Sequence, residues 1–318
     1  MNNQSVETDQ IKGGIVMTEM TEQIAEGTYG RFGASRLADG ICFTFEGEKE
    51  QECAVRIYEK GKHAYRDIPV PGAYCVGAVR SVCVHGLNPA RNDYNYLIDG
   101  REVVDPYAGR IVGREKWADG SRYDRGMQVR SGFEPAAFDW GDDAHPEIRR
   151  TDMVMYKLHV RGFTKDAGSD IRHKGTFEAL RGRIGYLKEL GVTTLELMPA
   201  YEFEEFMEPA CGDQAMDFSG WSPQAVAGYQ MLQQEEKEQE KRVPRINYWG
   251  YGPGNYFAPK ASYAAGADAV SEFRELIRAL HAAGMECIME IYFDAQENPN
   301  YAVEVLRHWV LNYHVDGF

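Results

Sequence analysis

The hydrophobic pattern of this 318-residue chain changes near Asp152, and that change limits the folds the chain can adopt. From about residue 28 to 138, short apolar or alternating runs lie between turn residues, with Asp99-Gly100 as a hairpin signal. This spacing predicts an antiparallel β-sandwich. Beyond Asp152, strand-like runs alternate with helical ones, residues 177–190 and 269–283, each followed by glycine. Such alternation predicts a parallel sheet with crossover helices.

The chain ends at Val315-Asp316-Gly317-Phe318, where an apolar run begins to have the pattern of a strand. A strand here leaves backbone groups that need partners, and parallel sheets are seldom left open at an edge. We therefore expect the chain to be the first part of a longer protein whose remaining strands come from the same parent chain. The alternative is a self-contained protein whose sheet edge is covered by a partner chain.

Charge and composition argue against several classes of protein. The chain has 49 acidic and 35 basic residues, a formal net charge of −14, which argues against a nucleic-acid partner. No run approaches the roughly 18 apolar residues of a membrane-spanning helix, and the N-terminus lacks the order of a signal peptide. We expect a soluble cytoplasmic protein without membrane contact. Four of the six cysteines lie in apolar strand-like runs and are predicted to be buried free thiols: Cys42, Cys75, Cys83 and Cys287.

Five segments carry motifs that can be recognised. Residues 156–164, Tyr-Lys-Leu-His-Val-Arg-Gly-Phe-Thr, are followed by Leu-Glu-Leu-Met-Pro at 195–199 and by an aromatic- and glycine-rich stretch at 247–259. Upstream, residues 94–100 and 105–108 contain Tyr-Asn-Tyr-Leu-Ile-Asp-Gly and Asp-Pro-Tyr-Ala. Together they resemble the α-amylase superfamily of glycoside hydrolases, family 13, in its isoamylase, pullulanase and glycogen-debranching group.

The resemblance implies a fold, a domain division and a partner. The fold is a carbohydrate-binding-module-like β-sandwich followed by the first half of a (β/α)8 TIM barrel, with a sugar site at the carboxyl ends of its strands. The partner is an α-glucan such as glycogen, starch or maltooligosaccharides, and neither a metal ion nor a cofactor is expected. We divide the chain into a flexible leader (residues 1–24), the sandwich (25–140) and the half-barrel (141–318), which has an insertion at 202–246. The acidic residues of this region are expected to form a solvated loop: Glu202, Glu204, Glu205 and Glu208.

The resemblance also assigns candidate sugar-binding residues. Tyr251 matches the family's stacking tyrosine at the cleavage subsite, and Trp249 and Asn255 lie beside it in the sequence. Aromatic rings suit this role because they offer a large apolar face together with a polar edge. The third strand of the parallel sheet is predicted over residues 287–293. In the stretch aligned with the family's motif, residues 290–295, Glu290 and Asp294 take the positions of the family's aspartate and asparagine. The alternative is that the aromatic residues only pack their loop.

The third strand departs from the family at a position that carries chemistry. Ala295 stands where the family has a histidine that hydrogen-bonds the sugar, and alanine cannot donate that bond. Retaining hydrolysis also needs two carboxyl groups, a nucleophile and an acid/base. By the resemblance both lie beyond Phe318, so we assign no catalytic residue to this chain. His159 and Asp316 match family positions as well, and we expect both to be structural.

Two hypotheses about function follow. The first is that the chain is the N-terminal part of an α-glucan-acting glycoside hydrolase, inactive by itself. The second is a non-catalytic α-glucan-binding or regulatory homologue that kept the scaffold and lost the site. The residues that follow Phe318 discriminate between them, because an aspartate three residues further on supports the first.

Overall fold

The computed structural model describes residues 23–119, 129–135, 137–166, 168, 170–207, 245–266 and 268–318. Most of the predicted leader and residues 208–244 of the predicted insertion lie outside this described part. The strands are β1 (Ile24–Glu26), β2 (Gly33–Arg36), β3 (Gly40–Glu46), β4 (Cys53–Glu59), β5 (Tyr65–Val70), β6 (Cys75–Val76), β7 (Val79–His85), β8 (Asn92–Ile98), β9 (Arg101–Val103), β10 (Arg110–Val112), β11 (Arg130–Gly132), β12 (Met155–Leu158), β13 (Thr194–Leu197), β14 (Tyr201–Phe203), β15 (Phe206–Met207), β16 (Arg245–Ile246), β17 (Gly254–Pro259) and β18 (Glu286–Met289). The α-helices are α1 (Val160–Phe163), α2 (Phe177–Arg181), α3 (Ile184–Glu189), α4 (Ala269–Ala282) and α5 (Pro299–Tyr313).

The chain forms two compact units. Unit 1 comprises the described residues of Met1–Gly113 and Gln128–Ala137, and unit 2 comprises those of Arg114–Met127 and Phe138–Phe318. The segment from Arg114 to Asp119 therefore belongs with unit 2, although the sequence pattern groups it with the preceding strands.

Unit 1 contains two antiparallel sheets that share one core. One sheet has the order β1-β7-β3-β2 with β6 beside β7, and the other has the order β10-β11-β8-β4-β5 with β9 beside β8. Alternate residues of the central strands point inward, as period-two patterning requires. Phe43 of the first sheet contacts Tyr94 of the second, with ring centroids 5.0 Å apart. The common core joins buried side chains of both sheets.

Two local predictions in unit 1 had different outcomes. The hairpin signal is confirmed, because Asp99 (φ 50°) and Gly100 (φ 75°) form the two-residue turn between β8 and β9. The prediction of free thiols is wrong for Cys42 and Cys83, which lie opposite each other in the β3–β7 pair and form a disulfide. The spacing of the cysteines along the sequence did not predict this pair, because Cys42 and Cys83 become neighbours only through the register of β3 and β7. Among the described cysteines, Cys53 and Cys287 are buried free thiols, and Cys75 is a half-buried one.

Unit 2 is built around a parallel sheet with the order β12-β13-β18. The next parallel contact is made by Gly317, which bridges to Ile288 and accepts a hydrogen bond from the Met289 N–H at 3.0 Å. Helix α4 begins at the Asp268 cap and buries Val270, Phe273, Leu276, Ile277 and Leu280 on one face.

One helix and one strand of unit 2 depart from their predicted ranges. The helix predicted over residues 177–190 is interrupted at Gly182-Arg183, since glycine carries the largest backbone entropy cost in a helix. The predicted strand over 287–293 ends at Met289. The Glu290 N–H still donates to the Leu197 carbonyl at 2.9 Å, but Pro199 has no N–H with which to continue the ladder.

No helix in the described part of the chain combines the length and apolar character needed to cross a bilayer.

Candidate functional site

The carboxyl ends of the three parallel strands hold a charged cluster formed by Lys157, Glu196 and Glu290. Lys157 and Glu196 are register partners on β12 and β13, and Glu290 directly follows β18. The Lys157 ammonium group donates to the Glu290 carboxylate and lies 3.9 Å from Glu196 Oε1. The cluster therefore links all three strand ends on one face of the sheet.

Tyr251 joins this cluster through its hydroxyl group. The Tyr251 O–H donates to Glu290 Oε2 at 2.5 Å, while 42% of the residue stays exposed. Partial burial acts to raise the pKa of Glu290, but hydrogen bonds from Lys157, Tyr251 and Glu196 outweigh it and lower the pKa. For Glu196, burial and the neighbouring Glu290 both raise the pKa, while Lys157 lowers it. The opposite pKa shifts make Glu290 the carboxyl group of the pair that ionises more readily, and hence the better hydrogen-bond acceptor.

A buried histidine supports the aromatic segment that precedes Tyr251. His159 accepts from the Gly162 N–H at its Nδ1 (2.9 Å), and its Nε2–H donates to the Tyr248 carbonyl at 2.8 Å. The Tyr248 ring stacks on the imidazole with centroids 4.5 Å apart. Burial lowers the pKa of His159, so the ring is neutral and holds one tautomer. Trp249, which follows, is left 54% exposed.

The remaining predicted residues lie on different segments. Asn255 is half-buried in β17, where it is the register partner of Glu202 in β14. Asp294 is exposed, and its Oδ1 accepts from the Gln296 N–H at 3.0 Å, which closes a turn. The structure thus joins Tyr251 and Glu290 directly, whereas the Trp249 ring contacts those of His159 and Tyr248. It gives Asp294 a local turn contact.

Two of the four glutamates that we predicted to lie in a solvated loop after β13 are buried instead, while Glu204 is half-buried and Glu208 lies outside the described residues. Glu202 and Glu205 are fully buried, and both contact the equally buried Lys260, whose Nζ lies 2.6 Å and 2.7 Å from their carboxylates. Backbone N–H groups of Ala261 and Ala118 also donate to these carboxylates. For Glu205, burial acts to raise the pKa, but Lys260 outweighs it and lowers the pKa. The prediction was wrong because the neutralising lysine lies 58 residues from Glu202 along the chain.

Comparison with known proteins finds relatives of the chain among enzymes that act on α-glucan branches. No family model matches it. The chloroplastic isoamylase 1 of Oryza sativa subsp. japonica is 28% identical in an alignment that covers 68% of this chain and 30% of that protein. A glycogen debranching enzyme of Salmonella paratyphi B is 26% identical in an alignment that covers 93% of this chain and 50% of that protein.

A solved structure shows the same fold. The pullulanase of Paenibacillus barengoltzii, in complex with maltohexaose and α-cyclodextrin, gives a TM-score of 0.63 at 23% identity, covering 91% of this chain and 48% of that one. The chain is thus similar in sequence to isoamylases and glycogen debranching enzymes, and similar in fold to pullulanase. The resemblance inferred from the motifs is thereby confirmed. The chain spans half or less of the length of the curated relatives it matches.

Two site residues of this chain were missed by sequence reasoning. Lys157 and Glu196 lie within motifs that were recognised, but no role was assigned to either. Their signal was present, because each is a charged residue inside an otherwise apolar strand. In a half-buried strand such a residue occupies the face away from the helices. The charge partner of Lys157 could not be identified from the sequence, because Glu290 lies 133 residues beyond it in the chain.

Proposed function

We propose that this chain contributes the α-glucan-binding face of an α-glucan-acting protein, with the sugar held by Trp249 and Tyr251 beside Glu290. The observation that carries the proposal is the exposure of Tyr251, whose hydroxyl donates to Glu290 at the strand ends, and of Trp249, two residues before it in the sequence. Exposed aromatic rings offer a ligand a large apolar face together with a polar edge. Glucose rings suit this surface, because they present an apolar face to stack and hydroxyl groups to donate.

The proposal includes a fold for each of the two units. We infer that unit 1 is a carbohydrate-binding-module-like sandwich and that unit 2 is the first half of a (β/α)8 barrel. The order β12-β13-β18, continued by the Gly317 bridge, supports the second assignment. In such barrels ligands bind at the carboxyl ends of the strands, where the cluster lies. The sequence expectation of a cytoplasmic location stays a prediction.

We infer that the complete protein is a hydrolase of the debranching type, with its nucleophile and acid/base outside this chain. Hydrolysis with retention needs two carboxyl groups about 5 Å apart on either side of the bond. Glu290 is hydrogen-bonded to Lys157 and Tyr251, so its carboxylate is engaged by two donors and suits substrate binding better than nucleophilic attack.

A specific observation favours the second candidate, a non-catalytic glucan-binding homologue. Ala295 offers no side-chain hydrogen bond at the position where the family has histidine, and Lys157 neutralises the carboxylate of Glu290. A site altered in this way keeps its stacking surface, while a sugar donor is lost. Both candidates predict binding by residues 1–318, and they differ in the activity of the complete protein.

The binding proposal is tested by calorimetric titration of maltoheptaose into purified residues 1–318. Saturable binding is expected, and Trp249→Ala should weaken it about tenfold through the loss of one stacking face. The matched control is Tyr186→Ala, which removes an equally exposed tyrosine from helix α3. Equal loss in both variants, or no binding by the wild type, contradicts the proposed site. Release of reducing sugar by residues 1–318 contradicts the assignment of the catalytic residues to the rest of the protein.

A further inference from the structure

A second polar cluster lies at the opposite ends of the same strands. We call it the histidine–aspartate cluster, and its members are Asp143, His145, His281, His314 and Asp316. His281 lies in the last turn of α4, and Asp316 accepts from the Cys287 N–H at 2.7 Å, near the amino end of β18. The cluster is therefore separated from the proposed sugar site by the length of the strand.

The Asp316 carboxylate lies between two imidazole rings. His145 Nδ1 is 2.7 Å from Asp316 Oδ1, and His281 Nε2 is 3.0 Å from Asp316 Oδ2. One ligand atom from each of these three residues can be chosen so that all lie within 4.8 Å of one another. In a tetrahedral zinc site, donors about 2.0–2.2 Å from the ion are roughly 3.3 Å apart. The two histidine–aspartate distances, 2.7 Å and 3.0 Å, are shorter than this value, and the two histidine nitrogens lie at most 4.8 Å apart. Side-chain rotations that move the three donors to equal spacing would complete the geometry.

The outer contacts of His281 also suit a metal ligand. Its Nδ1–H donates to the buried Asp143 carboxylate, with distances of 2.9 Å and 3.1 Å to the two oxygens. His314 Nδ1 donates to the same carboxylate at 2.6 Å. In protein zinc sites a carboxylate commonly binds the second ring nitrogen of a histidine ligand, which orients the ring and strengthens it as a donor. Asp143 is placed to do this for His281, whose Nε2 points toward Asp316.

The solvent exposure of the cluster and the type of its donor atoms indicate which metal ion it would bind. The His145 side chain is 52% exposed, which leaves a path from solvent and room for water as a fourth ligand. Two imidazole nitrogens and one carboxylate oxygen form a donor set that suits zinc and related transition ions better than calcium or magnesium.

We propose that His145, His281 and Asp316 form a zinc-binding site, oriented by Asp143. The zinc ion takes the place of the proton that His281 Nε2 now donates to Asp316. It joins the segment before β12 to the end of α4 and to the residues after α5. Because the site lies away from the proposed sugar-binding residues, its role is to hold these segments together.

The test is calorimetric titration of ZnCl2 into residues 1–318 that have been treated with EDTA and dialysed. One equivalent of zinc is expected to bind and to raise the thermal unfolding midpoint. His145→Ala should lower the affinity at least about tenfold, and it alters an exposed position, so folding is retained. The matched control is His63→Ala, which removes an exposed histidine of unit 1 and should leave zinc binding unchanged.

Two further measurements keep the result unambiguous. Cobalt(II) in place of zinc should give the visible absorption of a tetrahedral site in the wild type and lose it in His145→Ala. Asp143→Asn should weaken zinc binding by about 10- to 100-fold, since it removes the anionic partner of His281. The proposal is overturned if no zinc binds, or if His145→Ala and His63→Ala reduce binding equally. In either case the cluster is a set of hydrogen-bonded ion pairs only.

Discussion

Asp105 is a buried carboxyl group whose ionisation is expected to make unit 1 less stable at neutral pH than in mild acid. The residue is fully buried, and burial raises its pKa from 3.8 to about 6. Three donors oppose this effect: the Tyr94 and Tyr96 hydroxyl groups, at 2.6 Å and 3.1 Å from Oδ2, and the Tyr107 N–H, at 2.8 Å from Oδ1. Burial outweighs them because the carboxylate loses all of its hydration.

The sign and size of the effect follow from linkage. A carboxyl group with a raised folded-state pKa makes its full contribution to stability below the unfolded pKa, and this contribution is lost as the pH rises through the folded pKa. A shift of about two units corresponds to roughly 3 kcal/mol, of which about 2 kcal/mol falls between pH 4.4 and 7.5. The Asp105→Asn variant cannot ionise, so it should lack this part of the pH dependence.

The assay is urea denaturation of residues 1–318 and of Asp105→Asn at pH 4.4 and 7.5. The free energy of unfolding of the wild type, relative to that of the variant, should fall by about 2 kcal/mol between the two pH values, because contributions from the other titrating groups cancel in the difference. Near-ultraviolet circular dichroism of both proteins shows whether the variant keeps the packing of its tyrosines. A relative stability of the wild type that rises with pH would refute the reasoning, since the three donors would then outweigh burial.

Three further predictions concern unit 2. Lys260→Met should lower the free energy of unfolding by roughly 3–5 kcal/mol in urea denaturation, because it removes the ammonium group that contacts two buried carboxylates and leaves them with Arg114, 3.7 Å from Glu202. Lys62→Met, at an exposed ion pair, should change it by less than about 1 kcal/mol. Tyr251→Phe should change maltoheptaose affinity less than about threefold, because the ring is kept and only the hydrogen bond to Glu290 is lost. If Tyr251→Phe loses as much affinity as Tyr251→Ala, the ring does not act by stacking. His159→Ala should destabilise the chain by roughly 1–3 kcal/mol and weaken maltoheptaose binding, since the segment before Tyr251 loses a hydrogen bond and a stacked ring. An unchanged affinity, measured by calorimetry, would contradict the role of His159 in positioning this segment.

The elements that the sequence predicts well are those with strong local patterning. Helix α4 follows the predicted helix of residues 269–283 to within one residue, because its apolar spacing, its Asp268 cap and the following Gly284 agree. The sequence predicts the end of an element less accurately where a neighbouring strand determines that end. Strand β18 stops at Met289 although the apolar run continues to Phe293, because its neighbour reaches a proline at position 199.

The candidate site could be predicted in part. Tyr251 and Glu290 were assigned by motif resemblance, and the structure places them in a direct hydrogen bond across 39 residues of chain. The resemblance carried no information about Lys157, whose ammonium group engages the same carboxylate. That contact depends on the parallel register of three strands, which no local window of sequence contains.

Three properties could be recognised in the sequence alone: the order of strands and helices, the change from antiparallel to parallel patterning and the resemblance to debranching-type enzymes. These properties depend on local periodicity and on short motifs, so they can be recognised one segment at a time. The tertiary structure alone decided which charges are neutralised, as in the burial of Glu202 and Glu205 against Lys260 and in the facing of three histidines onto Asp143 and Asp316. The physical reason is that an ionisable side chain has the same local sequence signal in water or in the core, and only its distant partners determine its environment.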